Sequence, residues 1–131
     1  MCIRDSLKTL EYIHLHKTGA LLKACVRTGA MIAGANEKLL QALTTYAEGI
    51  GLAFQIIDDI LDLTSSSEKL GKTAGKDLLA DKTTYPKLLG MKESKKRALV
   101  SVEKAKKAIE PWGAKAKYLI SLADFITNRD R

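Results

Sequence analysis

Three carboxylates stand close together in the run FQIIDDILD, residues 54–62: Asp58, Asp59 and Asp62. Isoleucine and leucine surround them, so a helix here buries much of its circumference, and burying a carboxylate unpaired costs on the order of several kcal/mol. On an α-helix Asp58 and Asp62 share a face one turn apart, with Cβ atoms roughly 6 Å from each other, and Asp59 is rotated about 100° beside them. Like charges at that spacing repel, and a hard divalent cation reverses the balance. Mg2+ takes carboxylate and phosphate oxygens and is held by one or two protein carboxylates plus the phosphates of a substrate. These residues therefore point to Mg2+ with a diphosphate.

The helix that must carry them is visible upstream. Leu39, Leu43, Tyr46, Ile50, Phe54, Ile57 and Leu61 recur at spacings of three and four, a continuous apolar stripe for a period near 3.6. One residue over, Leu40, Thr44, Ala47, Gly51, Gln55, Asp58 and Asp62 keep the same spacing and pass from apolar through small to polar. That is the profile of a helix whose far end borders a cavity. Asn36 is placed to cap it after Gly34, so the sequence predicts a helix over about 36–63, roughly 42 Å long at 1.5 Å per residue. A solvated acidic turn is the competing reading, and Ile56, Ile57, Ile60, Leu61 and Leu63 leave it little room.

Two other segments carry candidate anion-binding groups. From Ser65 to Pro86 the periodicity is low and the reading is a loop; Lys69, Lys72, Lys76 and Lys82 supply cations there, with Gly71 and Gly75 allowing close backbone approach. It is not a nucleotide P-loop, since the glycine spacing is one residue short, an Asp follows the Lys, and no strand precedes it. Upstream, within EYIHLHKTGALL, residues 11–22, His14, Lys17 and Thr18 together interrupt a helical apolar stripe. An ammonium and a hydroxyl on adjacent positions can serve a phosphate as cation and donor. A surface Lys beside a core-edge His is the plainer reading. His14 and His16 are two apart and point to different faces, which argues against a paired metal site.

HKTGALL, FQIIDDILD and LGKTAGKDLLADKTTYP, in this order and at these separations, resemble the C-terminal half of a trans-isoprenyl diphosphate synthase of the geranylgeranyl diphosphate synthase type. The resemblance runs from about Leu7 to Arg131. It implies an all-α helical bundle, one part of a single isoprenoid synthase domain, and a head-to-tail prenyltransferase in which an allylic diphosphate ionises with help from Mg2+ and isopentenyl diphosphate attacks. Asp58, Asp59 and Asp62 match the family's second aspartate-rich motif, with Asp58 the most direct ligand. Gln55 matches the glutamine one turn earlier, Lys17 and Thr18 the Lys-Thr pair, and Lys72 and Lys82 the basic positions of the following segment; these would contact the allylic diphosphate. The resemblance also implies a homodimer, and DFITNRDR, residues 124–131, resembles a family terminus.

The departures matter too. The first aspartate-rich motif is absent from this sequence, as are the basic residues that would bind isopentenyl diphosphate, and MCIRDS at residues 1–6 reads as boundary residues rather than as a signal peptide. A catalytically silent subunit that modulates an active synthase, and a class I terpenoid cyclase, are the alternatives; the GKD and LADKTTYP segments favour a synthase over a cyclase. Helices missing on one side are expected to leave apolar faces wet and the chain prone to associate.

Composition narrows the remainder. At 131 residues, 46% apolar and 5% aromatic, the chain fits one domain or a large part of one, with almost no strand signal. Helices are expected near 7–33, 36–63, 86–110 and 114–127, with Pro86 opening the third and Pro111 ending it. Cys2 and Cys25 suggest neither a metal site nor a disulfide framework, so a reducing, cytoplasmic setting is expected, and no run approaches a membrane span. The net charge of +7 arises entirely after residue 86, where twelve Lys or Arg face five Asp or Glu. Lys92, Lys95, Lys96, Lys104, Lys106 and Lys107 around Leu99, Val102, Ala105 and Ile109 read as the solvated side of an amphipathic helix. Without interleaved aromatics this is not a nucleic-acid surface.

Overall fold

The computed structural model describes residues 6–69 and 83–129, with side chains given for all of these except 65–69. Among the described residues there are only helices and their connections: α1 (Leu7–His16), α2 (Thr18–Ile32), α3 (Glu37–Lys69), α4 (Tyr85–Leu89), α5 (Met91–Ile109), a 3-10 segment (Glu110–Ala116) and α6 (Lys117–Asn128). No helix among them is long and apolar enough to cross a membrane.

α3 is the axis on which the others pack. Asn36 opens it as expected, its Oδ1 accepting from the Leu39 backbone N–H at 2.9 Å. Tyr46, Ala47, Ile50, Ala53, Ile56, Ile57 and Ile60 along it are buried and span about half its circumference. At 25–30 cal/mol per Å² each enclosed aliphatic side chain contributes about 1.5–3 kcal/mol. One apolar cluster joins Tyr46, Ile50 and Ala53 to Val102, Ala105 and Ile109 of α5 and Ala123 and Ile126 of α6. A second joins Ile56, Ile57 and Ile60 to Leu10, Tyr85 and Ala98. The Tyr46 hydroxyl donates to the Leu119 carbonyl at 2.7 Å and so ties α3 to α6.

Glycines set how closely the helices approach. A Cβ added to Gly49 would stand 2.7 Å from the Ser101 carbonyl oxygen and 2.9 Å from Ala105 Cβ, so α3 and α5 touch backbone to backbone there. A Cβ on Gly51 would stand 3.1 Å from Gly19 Cα, which marks the crossing of α2 over α3.

Several element boundaries differ from the sequence reading. The expected 7–33 helix is two helices, with Lys17 between them at φ −102°, ψ −100°. A straight helix meets another at one crossing, whereas the break lets α1 and α2 each meet α3. The 36–63 helix runs on to Lys69, so Ser65–Lys69 is helical rather than loop. Ser and Thr hydroxyls can return to carbonyls of the preceding turn, and Thr64 does so, to Ile60 and Leu61 at 3.2 and 3.1 Å. The expected 86–110 helix breaks at Gly90, whose φ of 81° no helix accommodates. Pro111 leads into a 3-10 turn, with Gly113 at φ 53°, and the last helix starts at Lys117. On α5 the inward face is Ser94, Ala98, Val102, Ala105 and Ile109, at helical spacing, and Leu99 lies exposed among the lysines.

Candidate active site

α3 turns its aspartates into two different environments. Asp58 lies on the accessible side, 39% exposed, and its Oδ1 accepts from the guanidinium of Arg129 at the end of α6. That guanidinium is held from beneath as well. It donates to the Phe54 carbonyl at 3.2 Å and stacks over the Phe54 ring at 4.1 Å, and its Nε is buried with no hydrogen-bond partner among the described residues. Asp62, one turn on, is exposed. Asp59 faces inward and is 2% exposed; its Oδ2 accepts from the Tyr85 backbone N–H at 3.1 Å and from His14 Nε2 at 3.4 Å. Among the described residues no three His, Cys, Asp or Glu side chains converge as a ready-made metal cage. Two accessible carboxylates one turn apart are nonetheless the complement that Mg2+ takes when phosphates complete its shell, so the donor set fits the ion.

The break at Lys17 lies between two contacts with α3. Gly19 meets α3 at Gly51 and His14 meets it at Asp59. Lys17 and Thr18 lie between those two anchors in the chain, as Gln55 and Asp58 do on α3, about 6 and 10 Å along the axis from Gly51 at 1.5 Å per residue. Lys17 is exposed, and Thr18 and Gln55 are half-buried. Lys17 and Thr18 thus join α1 and α2 between the contacts these make with α3 at Asp59 and at Gly51. Lys72 and Lys82 lie outside the described residues. A cavity of about 380 Å³ opens at this end of α3, against Ile57, Ile60 and Leu61 and next to Lys95 and Arg129. It borders the flank beside the Gln55–Asp58 stripe rather than the stripe itself.

Two participants escape the sequence reading. Arg129 is 71 residues from Asp58 and Tyr85 is 26 from Asp59, and neither separation leaves a periodic trace. Tyr85 has its hydroxyl pushed above the usual tyrosine range, by burial first and then by the negative charge of Glu11. Glu11 itself is paired with Arg97 at 2.7 Å.

The family model described as polyprenyl synthetase matches residues 2–118. The chain belongs to the polyprenyl synthetase family. A dimethylallyltranstransferase of Fischerella ambigua (strain UTEX 1903) is 56% identical over 123 residues, which cover 94% of this chain and 36% of that protein. A geranylgeranyl diphosphate synthase of Cyanophora paradoxa is 55% identical over 125 residues, covering 95% of this chain and 42% of its own length. The apo structure of a FPP/GFPP synthase from Zymomonas mobilis superposes with a TM-score of 0.78 at 32% identity, covering 96% of this chain and 40% of that one. This polyprenyl synthetase chain thus spans about two-fifths of the length of the relatives it matches, and the all-α fold is theirs.

Proposed function

We propose that this chain supplies the allylic-diphosphate side of a prenyl-transfer site, in an enzyme that condenses an allylic diphosphate with isopentenyl diphosphate head to tail. The observation that carries the reading is the pair Asp58 and Asp62 on the accessible face of α3, with the Lys17–Thr18 break set in the chain between the His14–Asp59 and Gly19–Gly51 contacts. Asp58 and Asp62 would hold Mg2+, and Asp59 joins them only if its carboxylate turns outward. Bound there, Mg2+ supplies the positive charge that stabilises a departing diphosphate.

The chain's own groups do the rest. Lys17 offers an ammonium and Thr18 a hydroxyl to phosphate oxygens, and Gln55 can donate from its amide one turn before Asp58. Lys72 and Lys82 serve the same diphosphate in this proposal, on the strength of the resemblance. Preorganised cations aimed at developing charge are the largest single catalytic contribution of this kind of site, and no covalent nucleophile is required. The other substrate and the first aspartate-rich motif must come from residues this sequence does not contain. The proposal includes a homodimer, as the resemblance implies, and a reducing, cytoplasmic setting, as Cys2 and Cys25 suggest.

The test is a chimera in which the Cyanophora paradoxa relative supplies the length this chain does not span. With labelled isopentenyl diphosphate, an allylic diphosphate and Mg2+, it is expected to elongate the allylic chain, and Asp58→Ala to lower turnover by about 100-fold or more, roughly 2.7 kcal/mol of barrier. Turnover that survives either Mg2+ removal or Asp58→Ala within threefold would contradict the assignment.

A further inference from the structure

Asp59 is the carboxylate that the diphosphate reading leaves over. It stands about 100° around α3 from Asp58, and it is 2% exposed. One oxygen, Oδ2, accepts from two different elements: the Tyr85 N–H of α4 and the His14 ring of α1. A carboxylate can only accept, so Nε2 of His14 carries the hydrogen. His14 is itself only 5% exposed, and its ring stacks on that of Tyr85 with centroids 5.5 Å apart and planes at 19°. Thus α1, α3 and α4 are pinned at a single buried oxygen, rotated about 100° from Asp58 and about 60° from Asp62 around α3.

We infer that Asp59 is a positioning residue, with His14 as its partner, and that this clasp fixes the rotation of α3 so that Asp58 and Asp62 face the metal while Asp59 does not. The inference rests on the Mg2+ reading of Asp58 and Asp62. Neutral asparagine in place of Asp59 keeps one oxygen to accept both hydrogen bonds, whereas alanine keeps none. Phenylalanine in place of His14 keeps the stack on Tyr85 but removes the donor, and glutamine restores a donor.

The experiment uses residues 1–131 and two readouts. The first is amide hydrogen exchange at Tyr85, taken relative to Val102 in the other cluster so that global loosening cancels. The second is the affinity for Mg2+ in the presence of inorganic pyrophosphate. Asp59→Ala and His14→Phe are expected to speed Tyr85 exchange about tenfold or more and to weaken Mg2+; His14→Gln should recover both to within about threefold. Asp59→Asn should leave both within about threefold, while Asp58→Asn weakens Mg2+ about tenfold or more. Asp59→Asn weakening Mg2+ as much as Asp58→Asn does would make Asp59 a metal ligand and overturn the clasp. Unchanged Tyr85 exchange in His14→Phe would overturn it too. Absence of Mg2+-dependent pyrophosphate binding in the unaltered chain would sink the site reading alone, because Tyr85 exchange still decides the clasp.

Discussion

At the scale of single residues, the decisive fact is that neighbouring aspartates meet opposite surroundings: Asp58, partly exposed, a guanidinium, and Asp59 two donors in the core. Because Arg129 holds one oxygen of Asp58, it competes with any ion drawn to that carboxylate. Arg129→Met keeps an apolar body on the Phe54 ring and removes the charge. Mg2+ affinity, followed by titration with pyrophosphate present, is expected to tighten about three- to tenfold, since a like charge a few ångströms from the ion is gone. An unchanged affinity would mean that the ion is not held beside the Asp58 carboxylate. The aspartates were legible in the sequence because their relation is local, one turn of one helix. Arg129 and Tyr85 were not, because contacts across dozens of residues are fixed by packing and leave no periodic mark.

At the scale of elements, the hydrophobic period located the helical stretches, and residue type after Gly34 the Asn36 cap, but the breaks at Lys17 and Gly90 were missed. A stripe counts apolar positions and is blind to a change of axis direction. The close approaches were equally hidden, since a glycine inside a helical pattern looks the same whether or not a neighbour touches it. Gly49 and Gly29 show the difference. Gly→Ala in a helix interior gains roughly 1 kcal/mol in propensity, yet at Gly49 the new methyl meets the Ser101 carbonyl and Ala105 on a packed helix, and overpacking there costs about 1–3 kcal/mol. Gly49→Ala is expected to lower stability in urea unfolding. Gly29 has nothing within 4 Å of its would-be Cβ, and Gly29→Ala is expected to raise stability by about 0.5–1 kcal/mol. A stabilising Gly49→Ala would mean that α3 and α5 are not in backbone contact.

At the scale of the whole molecule, the inner bonds set the response to pH and the outer face sets solution behaviour. Burial raises the Tyr46 hydroxyl to about 12 and pushes Tyr85 up as well, from an ordinary 10.0. The unfolded chain releases these protons first, so their contribution to stability is complete below pH 10 and is lost as pH climbs from 10 towards 12. Thermal midpoints are expected to fall across that window, less steeply in Tyr46→Phe; a flat profile would show the hydroxyls to be accessible. Outside, Tyr118, Leu122 and Phe125 form an exposed stripe on α6, and Leu21, Met31 and Ile32 are exposed on α2, in keeping with a chain expected to associate. The central claim, that α3 presents Asp58 and Asp62 to Mg2+ and a diphosphate, is tested most directly by titrating inorganic pyrophosphate into residues 1–131 with Mg2+ and with a chelator, alongside Asp58→Ala and Asp62→Ala. Binding is expected only with Mg2+, and about tenfold weaker or worse in either variant. Equal binding with and without the metal, or binding indifferent to both substitutions, would contradict it.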